Sequence, residues 1–268
     1  MKSVRSCLQR RYPILARLWG KFRWYTSRRG ISQLLADGRL AVQHWGSGVE
    51  CPFCGWRGRE FYRHLDPHPR PNAVCPRCHS KERHRLLYLY LVSTGVLSDA
   101  ARHVLEIGPE RCWPLLLRSL ANINYVGLDL ASANASVQGD VVALPLPSQS
   151  FDLVICYHVL EHVMDDRKAI QELHRVLSPR GILLVDVPIH GEVTDEDPTV
   201  TDPVERGRRF GQADHVHQYG ADFVDRLVDR GFAVEVCDFA SKLADSTVQR
   251  LGLVRNDPIY VCRRCILH

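Results

Sequence analysis

No stretch of the 268-residue sequence approaches the roughly 20 uninterrupted apolar residues that a membrane-crossing helix needs. The N-terminus has neither the apolar core nor the small-residue cleavage site of a secretory leader. These two absences exclude an integral membrane protein as the starting reading and make the cytoplasm the expected compartment. Internal repeats and low-complexity tracts are also missing, so a solenoid or a disordered chain is not expected. What is present is ordinary for a globular protein, with 45% hydrophobic and 24% charged residues. The length suits one α/β domain plus a small accessory unit.

Acidic residues are absent from Lys2 to Arg29, although the net charge of the whole chain is only +5. Tyr12, Trp19, Phe22, Trp24 and Tyr25 are interleaved with the basic residues of this segment. Such a pattern suits peripheral contact with an anionic membrane surface or with nucleic acid. The plainer reading is a partly helical extension that packs its aromatics on the body of the protein.

The ten cysteines do not read as a disulfide framework, because nothing signals export and four of them form two C-x-x-C pairs. Cys51-Pro52-Phe53-Cys54 and Cys75-Pro76-Arg77-Cys78 stand twenty residues apart. Each pair can turn two thiolates toward one centre, and two pairs complete a tetrahedral zinc site of ribbon type. Gly55 and His79, one after each pair, are the small or polar residues a tight knuckle favours. Four protein ligands leave no open position, so this zinc is expected to be structural. Cys262 and Cys265 make a third C-x-x-C, but a lone pair cannot complete a site.

Composition divides the chain into a basic extension (residues 1–44), a four-cysteine module (45–85) and an α/β domain (86–268). Leu86–Leu97 reads as a buried helix leading into the last. From His103 onward short apolar runs alternate with helical patterns, the signature of βαβ units and a largely parallel sheet. Strands are expected over His103–Ile107, Tyr125–Asp129, Leu153–Tyr157, Ile182–Val187, Ala233–Asp238 and Ile259–Cys262, with a short one near Val137. Helices are expected over Trp113–Ala121, Asp166–Leu177 and Ala221–Arg230. Arg180-Gly181 and Arg230-Gly231 read as the stops of the last two.

The first expected strand ends at Glu106-Ile107-Gly108-Pro109-Glu110. Ligands of doubly wound sheets bind beyond the carboxyl ends of the strands, where a glycine lets backbone approach a ligand. There is no G-x-G-x-x-G here, only Gly108. Asp129 ends the next strand, where a carboxylate can accept both hydroxyls of a ribose. Asp140, in Gly139-Asp140-Val141, is placed to accept from an adenine amino group. Three acids ending successive strands would repel phosphate, which favours the nucleoside sulfonium S-adenosylmethionine over a dinucleotide. The expected cofactor-binding residues are Glu106, Gly108, Pro109, Asp129, Leu130, Asp140, Val141 and Tyr157.

Several segments carry a family resemblance. They are Val104–Glu110, Gly127-Leu128-Asp129, Leu144-Pro145-Leu146-Pro147, Ser150 through Val163, and the helix Ala169–Leu177 with Ser178-Pro179-Arg180-Gly181. On these, residues 103–262 resemble a class I S-adenosylmethionine-dependent methyltransferase of the type-11 group. Cys78 through Leu87 and Phe210 through Gly220 resemble, more narrowly, a bacterial subgroup in which a two-knuckle cysteine module precedes that domain. The resemblance implies an α/β fold with a Rossmann-like seven-stranded sheet and a small zinc-ribbon-like module before it. It also implies methyl transfer to a small-molecule or glycan-precursor acceptor. The glycine-poor loop departs from the wider family, though the subgroup commonly has a Pro-Glu step there.

His158-Val159-Leu160-Glu161-His162 fits H-x-x-E-H, the inverted zinc-protease motif. Because it follows directly on an apolar strand, His158 is expected in a strand-to-helix loop, and the methyltransferase resemblance accounts for the motif. Methyl transfer from a sulfonium needs no proton on the leaving group, and an oxygen or nitrogen acceptor needs at most a base. His158 and His215 are the candidate bases, the latter with Asp214 or a neighbour to orient it. Gly191–Arg209 reads as a charged loop at the active face. Two other functions stay open: an RNA methyltransferase recognising its substrate through Arg57, Arg59, Arg63, Arg77, Lys81, Arg83 and Arg85, and a non-catalytic zinc-ribbon adaptor on the same fold.

Overall fold

A computed structural model describes residues 28–65, 69–97 and 102–265. The basic, aromatic stretch before Arg28, with Tyr12, Trp19, Phe22, Trp24 and Tyr25, lies outside the described residues. No helix among the described residues is long and apolar enough to cross a membrane. The chain forms two compact units. One takes the described residues up to 97 together with Arg111–Ala121 and Asp238–Pro258, and the other takes the described residues from 102 to 110, Asn122–Cys237 and the described residues from Ile259.

The first unit is organised around the cysteines. Helix α1 (Arg28–Gln43) is followed by the short strands β1 (Trp45–Glu50), β2 (Arg57–Gly58), β3 (Tyr62–His64) and β4 (Arg70–Val74), then by α2 (Glu82–Ser93). β1 pairs with β2 and β3 with β4, both antiparallel. The helix expected over Leu86–Leu97 starts and ends four residues earlier, and nearly all of it is buried, as its unbroken apolar run requires. Helix α3 (Cys112–Leu117) and a later helix, α7 (Asp245–Leu251), belong to this unit as well. Phe53 packs on Tyr88 and edge-on against Trp113, each pair with ring centroids 4.9 Å apart. Asp37 of α1 is held by Arg111 (2.7 Å) and by His79 of the second knuckle (3.0 Å).

Arg85 is fully buried, and its guanidinium donates to the carbonyls of Ala73 (2.9 Å), Ser80 (2.7 Å), Leu251 (2.7 Å) and Gly252 (2.7 Å). Its plane also lies 3.9 Å over the Phe61 ring. One side chain thus ties the second cysteine knuckle to the end of α7.

The second unit is a seven-stranded sheet. Its strands are β5 (Arg102–Ile107), β6 (Ile123–Asp129), β7 (Val137–Gln138), β8 (Phe151–Tyr157), β9 (Leu177–Asp186), β12 (Phe232–Cys237) and β13 (Ile259–Arg264), in spatial order β12-β13-β9-β8-β5-β6-β7. β5 through β9 pair in parallel, and β13 runs antiparallel between β9 and β12. This is an α/β, Rossmann-like sheet, as the alternation of apolar runs and helices predicts. Helices α4 (Asp166–Val176), α5 (Pro203–Phe210) and α6 (Phe223–Val228) and the two-residue pair β10 (Asp195–Glu196) and β11 (His217–Gln218) complete the unit. Its core is formed by fully buried residues such as Leu105, Val154, Ile170, Leu173 and Leu183.

Two local expectations are corrected. Arg180-Gly181 does not end the preceding helix: α4 stops at Val176, Leu177 is already extended, and Gly181 lies inside β9. The residues between the pairs Phe151↔Leu177 and Leu153↔Ile182 form a bulge, and a Cβ on Gly181 would stand 2.9 Å from the Phe151 carbonyl oxygen. The glycine therefore serves a strand and not a helix cap. The charged segment Gly191–Arg209 is not simply a loop. Asp202 caps α5 by accepting from the Glu205 amide (2.9 Å), Pro203 opens the helix, and Gly211 closes it at φ +89. Those three residues were the signal for a helix there.

Gly231 does stop α6, at φ +86, and a Cβ there would lie 3.3 Å from His174 Nε2. Gly231→Ala is expected to lower stability by about 1–2 kcal/mol, read as a lowered midpoint in urea with an unchanged slope.

Candidate functional site

The chain leaves β5 for β6 and β7 on one side of the sheet and returns to β8 on the other. The carboxyl ends of β5 and β8 therefore form the topological switch point, where open α/β sheets bind ligands. The loop leaving β5 is braced by its own acid. Glu106 is buried, its Oε1 accepts the Glu110 amide (3.1 Å), and its Oε2 accepts the Tyr125 hydroxyl (2.6 Å). Gly108 takes φ +63, donates its amide to the Leu128 carbonyl (2.9 Å), and has no room for a Cβ, which would meet Val159 at 2.9 Å. Asn134 donates to the Pro109 carbonyl (3.3 Å). Glu106 as placed shapes the loop, a role that needs the same acid at the same position as ligand contact would.

Asp129 sits half-buried at the carboxyl end of β6. Its Oδ1 accepts the amides of Ala131 (2.8 Å) and Ser132 (2.7 Å), which fixes the carboxylate plane. Leu130 beside it is 63% exposed. Asp140 is exposed and accepts the Val142 amide (3.1 Å), while Val141 is buried. Tyr157 ends β8 and is buried.

His158 follows at φ +54, in the strand-to-helix loop the sequence predicts. Its Nδ1 faces Glu161 Oε1 (3.1 Å), and its Nε2 faces Asp186 Oδ2 (3.3 Å) at the end of β9. Glu161 is almost fully buried; burial pushes its carboxyl up, and the His158 hydrogen bond and charge more than reverse this, so it stays ionised. Asp186 was not singled out from sequence, though an acid closing an apolar strand was visible.

The 3₁₀ turn Leu160–His162 does not put His158 and His162 on one helical face, so the two do not ligate as in a zinc protease. The grouping close enough to hold an ion there takes Glu161, His162 and His215 instead. Of the two alternatives for orienting His215, Asp214 or a neighbour, it is a neighbour that meets the ring and not Asp214. Asp214 faces His162 (Nδ1 to Oδ2 3.3 Å), while His215 Nδ1 lies 3.0 Å from the Phe210 carbonyl. Burial lowers the His215 ring below its ordinary value, so it is neutral at neutral pH.

In the first unit, Cys51, Cys54, Cys75 and Cys78 converge as their spacing predicts. All four Sγ atoms lie within 4.8 Å of one another, with Cys51–Cys78 at 3.5 Å and Cys54–Cys75 at 3.7 Å. Four sulfurs about 2.3 Å from one ion would stand about 3.8 Å apart, so the thiols fit zinc with little movement. The knuckles are near copies of each other. Gly55 (φ +69) and His79 (φ +62) donate amides to the carbonyls of Cys51 and Cys75, and Cys51 and Cys75 donate theirs to Trp56 and Ser80. The Ser80 hydroxyl adds contacts of 3.2 Å to Cys51 Sγ and 3.3 Å to Cys78 Sγ. Cys262 is a buried strand residue whose thiol burial pushes up to about 12, and Cys265 is exposed beyond the strand, so these two do not form a comparable pair.

Four of the seven basic residues considered for a nucleic-acid surface have partners in the first unit. Arg57 faces Glu50 (3.5 Å), Arg59 donates to the Gln43 carbonyl (2.7 Å), Arg77 to the Cys54 carbonyl (3.3 Å), and Arg85 is buried.

Residues 107–185 match a family model described as a methyltransferase domain. The match runs from the end of β5 to the end of β9 and so takes in the switch-point loops. A "probable S-adenosylmethionine-dependent methyltransferase" of Mycolicibacterium smegmatis is 31% identical over 117 residues, which are 40% of this chain and 44% of that protein. The ubiquinone/menaquinone biosynthesis C-methyltransferase UbiE of Pseudoalteromonas translucida is 36% identical over 90 residues, 34% of this chain and 31% of that protein. The chain thus spans less than half the length of these curated relatives. Among solved structures, that of the YcgJ protein from Bacillus subtilis is similar at a TM-score of 0.43 and 20% identity, over 67% of this chain and 94% of that one.

Proposed function

We propose that this chain is an S-adenosylmethionine-dependent methyltransferase acting on a small-molecule acceptor, with a structural zinc in its four-cysteine module. The observation that carries the reading is the half-buried Asp129 carboxylate, held in a fixed plane at the end of β6 beside the switch-point loop, inside the matched methyltransferase domain. Asp129 would accept the two ribose hydroxyls, and Leu130 and Val141 would flank the adenine, with Asp140 accepting from its amino group. The backbone of Gly108 and Pro109 would pass the methionine moiety, and Tyr157 and His158 would border the methyl group.

A sulfonium methyl carries its own leaving group, so the protein's task is to hold donor and acceptor in line and exclude water. His158, held between Glu161 and Asp186 beyond β8, would position an acceptor beside the methyl group. A glycan precursor is one small-molecule class that the family resemblance suggests. Zinc, when bound, would supply a rigid four-thiolate anchor for the knuckles and no reactive position.

Calorimetry with S-adenosylhomocysteine tests the cofactor site. The full chain is expected to bind, and Asp129→Ala to weaken binding about 100-fold, the loss of charge-assisted bonds to a diol. No binding by the unaltered chain, or equal binding by Asp129→Ala, overturns the reading.

A further inference from the structure

A second set of ligand atoms gathers just beyond β8. Glu161, His162 and His215 each bring one ligand atom to within 4.8 Å of the others. Glu161 is 1% exposed, and its Oε2 is buried with no hydrogen-bond partner among the described residues. A buried carboxylate oxygen left unpartnered is costly, and a cation is the partner that offsets the cost.

The two rings are prepared for that cation. His215 Nδ1 lies 3.0 Å from the Phe210 carbonyl, which can only accept, so the proton sits on Nδ1 and the lone pair on Nε2. His162 Nδ1 faces the carbonyl (3.3 Å) and the carboxylate (3.3 Å) of Asp214, again acceptors, and again Nε2 is left to ligate. A ligating histidine with its other nitrogen donated to a carbonyl or carboxylate is the usual outer-shell arrangement of metal sites. A nearby grouping, Asp166, Glu196 and His217, does not qualify, because the Arg226 guanidinium already supplies its cation at 2.9 Å from both acids.

We propose that Glu161, His162 and His215 form an open divalent transition-metal site, separate from the four cysteines. Two imidazoles and one carboxylate suit zinc, iron, cobalt or manganese and disfavour calcium and magnesium, which prefer oxygen throughout. Three protein ligands leave coordination positions for water or substrate, and the half-exposed His162 provides the entry. If the methyltransferase reading holds, those positions favour an acceptor bearing an oxygen donor; this last clause alone rests on that reading.

The test is equilibrium dialysis against cobalt(II) of the full chain carrying a single zinc equivalent, the one its four cysteines hold, with metal content and thermal melting as readouts. The unaltered chain is expected to take up one further equivalent and to melt higher with cobalt. His162→Ala and Glu161→Gln are expected to lose both effects. Asp214→Ala, at an exposed position outside the coordination sphere, should weaken cobalt binding about 10–100-fold, without changing the melting of the cobalt-free chain. No further equivalent in the unaltered chain, or unchanged uptake by His162→Ala, overturns the site. Cobalt uptake in a chain that fails to bind S-adenosylhomocysteine supports the metal site and removes only the methyltransferase reading.

Discussion

Replacing Cys75 by serine is expected to abolish folding of the unit that contains it, the largest effect of any single change considered. Cys75 is fully buried, and its sulfur is 3.7 Å from that of Cys54. A structural four-thiolate zinc contributes about 10–16 kcal/mol in small zinc peptides, which matches or exceeds the whole stability of a typical domain at about 5–15 kcal/mol. Without the metal, buried thiols crowd one another with nothing to hold the two knuckles together. Metal analysis of the unaltered chain should return tightly held zinc, and the Cys75→Ser chain should be insoluble or rapidly cleaved by protease within residues 45–81. A soluble Cys75→Ser chain with an unchanged melting temperature, or an unaltered chain purified without metal, sinks the structural-zinc proposal.

Arg85→Met carries the second large effect. Methionine fills much of the same volume but donates nothing, leaving the carbonyls of Ala73, Ser80, Leu251 and Gly252 without the bonds they accept now. Each buried carbonyl left unsatisfied costs about 1–3 kcal/mol, so the loss of several is expected to lower the melting temperature by about 10 °C for a protein of this size. Arg85→Lys should recover only part of the loss, because a single ammonium cannot span the fork geometry of the guanidinium. Since Ala73 and Ser80 bracket the second knuckle, the melting of Arg85→Met should also become sensitive to chelator at lower concentration. A shift under about 2 °C would show that water replaces the guanidinium at no cost.

Much of the core architecture was legible because its signals are local. The apolar runs at β5, β6, β8, β12 and β13 predict strands within two residues at each end, and the short run at Val137 is a strand too. The strand at β9 is the exception, since five residues of it precede the apolar run and belong to a bulge. Two helix lengths were overestimated: α3 ends at Leu117 and α6 covers only Phe223–Val228, because periodicity persists through turns that the backbone no longer makes helical. Of the candidate site, the strand-end positions of Glu106, Asp129 and Tyr157 were visible, while Asp140 lies two residues beyond β7 and does not end it; the partners of these side chains were not visible. His158 shows the difference: its loop was foreseen, and Asp186, which fixes one of its nitrogens, was not.

By itself the sequence determined the elements whose cause is short-range. Two C-x-x-C pairs impose two knuckles with left-handed residues at 55 and 79, and alternating apolar and helical runs impose a largely parallel sheet with Glu106 and Asp129 at the ends of its strands. Only the tertiary structure decided what depends on residues far apart in the chain. It placed α3 and the segment around α7 in the same unit as the cysteines, and it spent Arg85 on carbonyls that include Leu251 and Gly252. It also brought His215 within 4.8 Å of His162 (ring centroids), leaving Asp214 to the other ring. The physical reason is that hydrophobic period, turn residues and ligand spacing act over a few bonds. Which buried polar groups meet depends on how the whole chain crosses the sheet, and no local pattern encodes that.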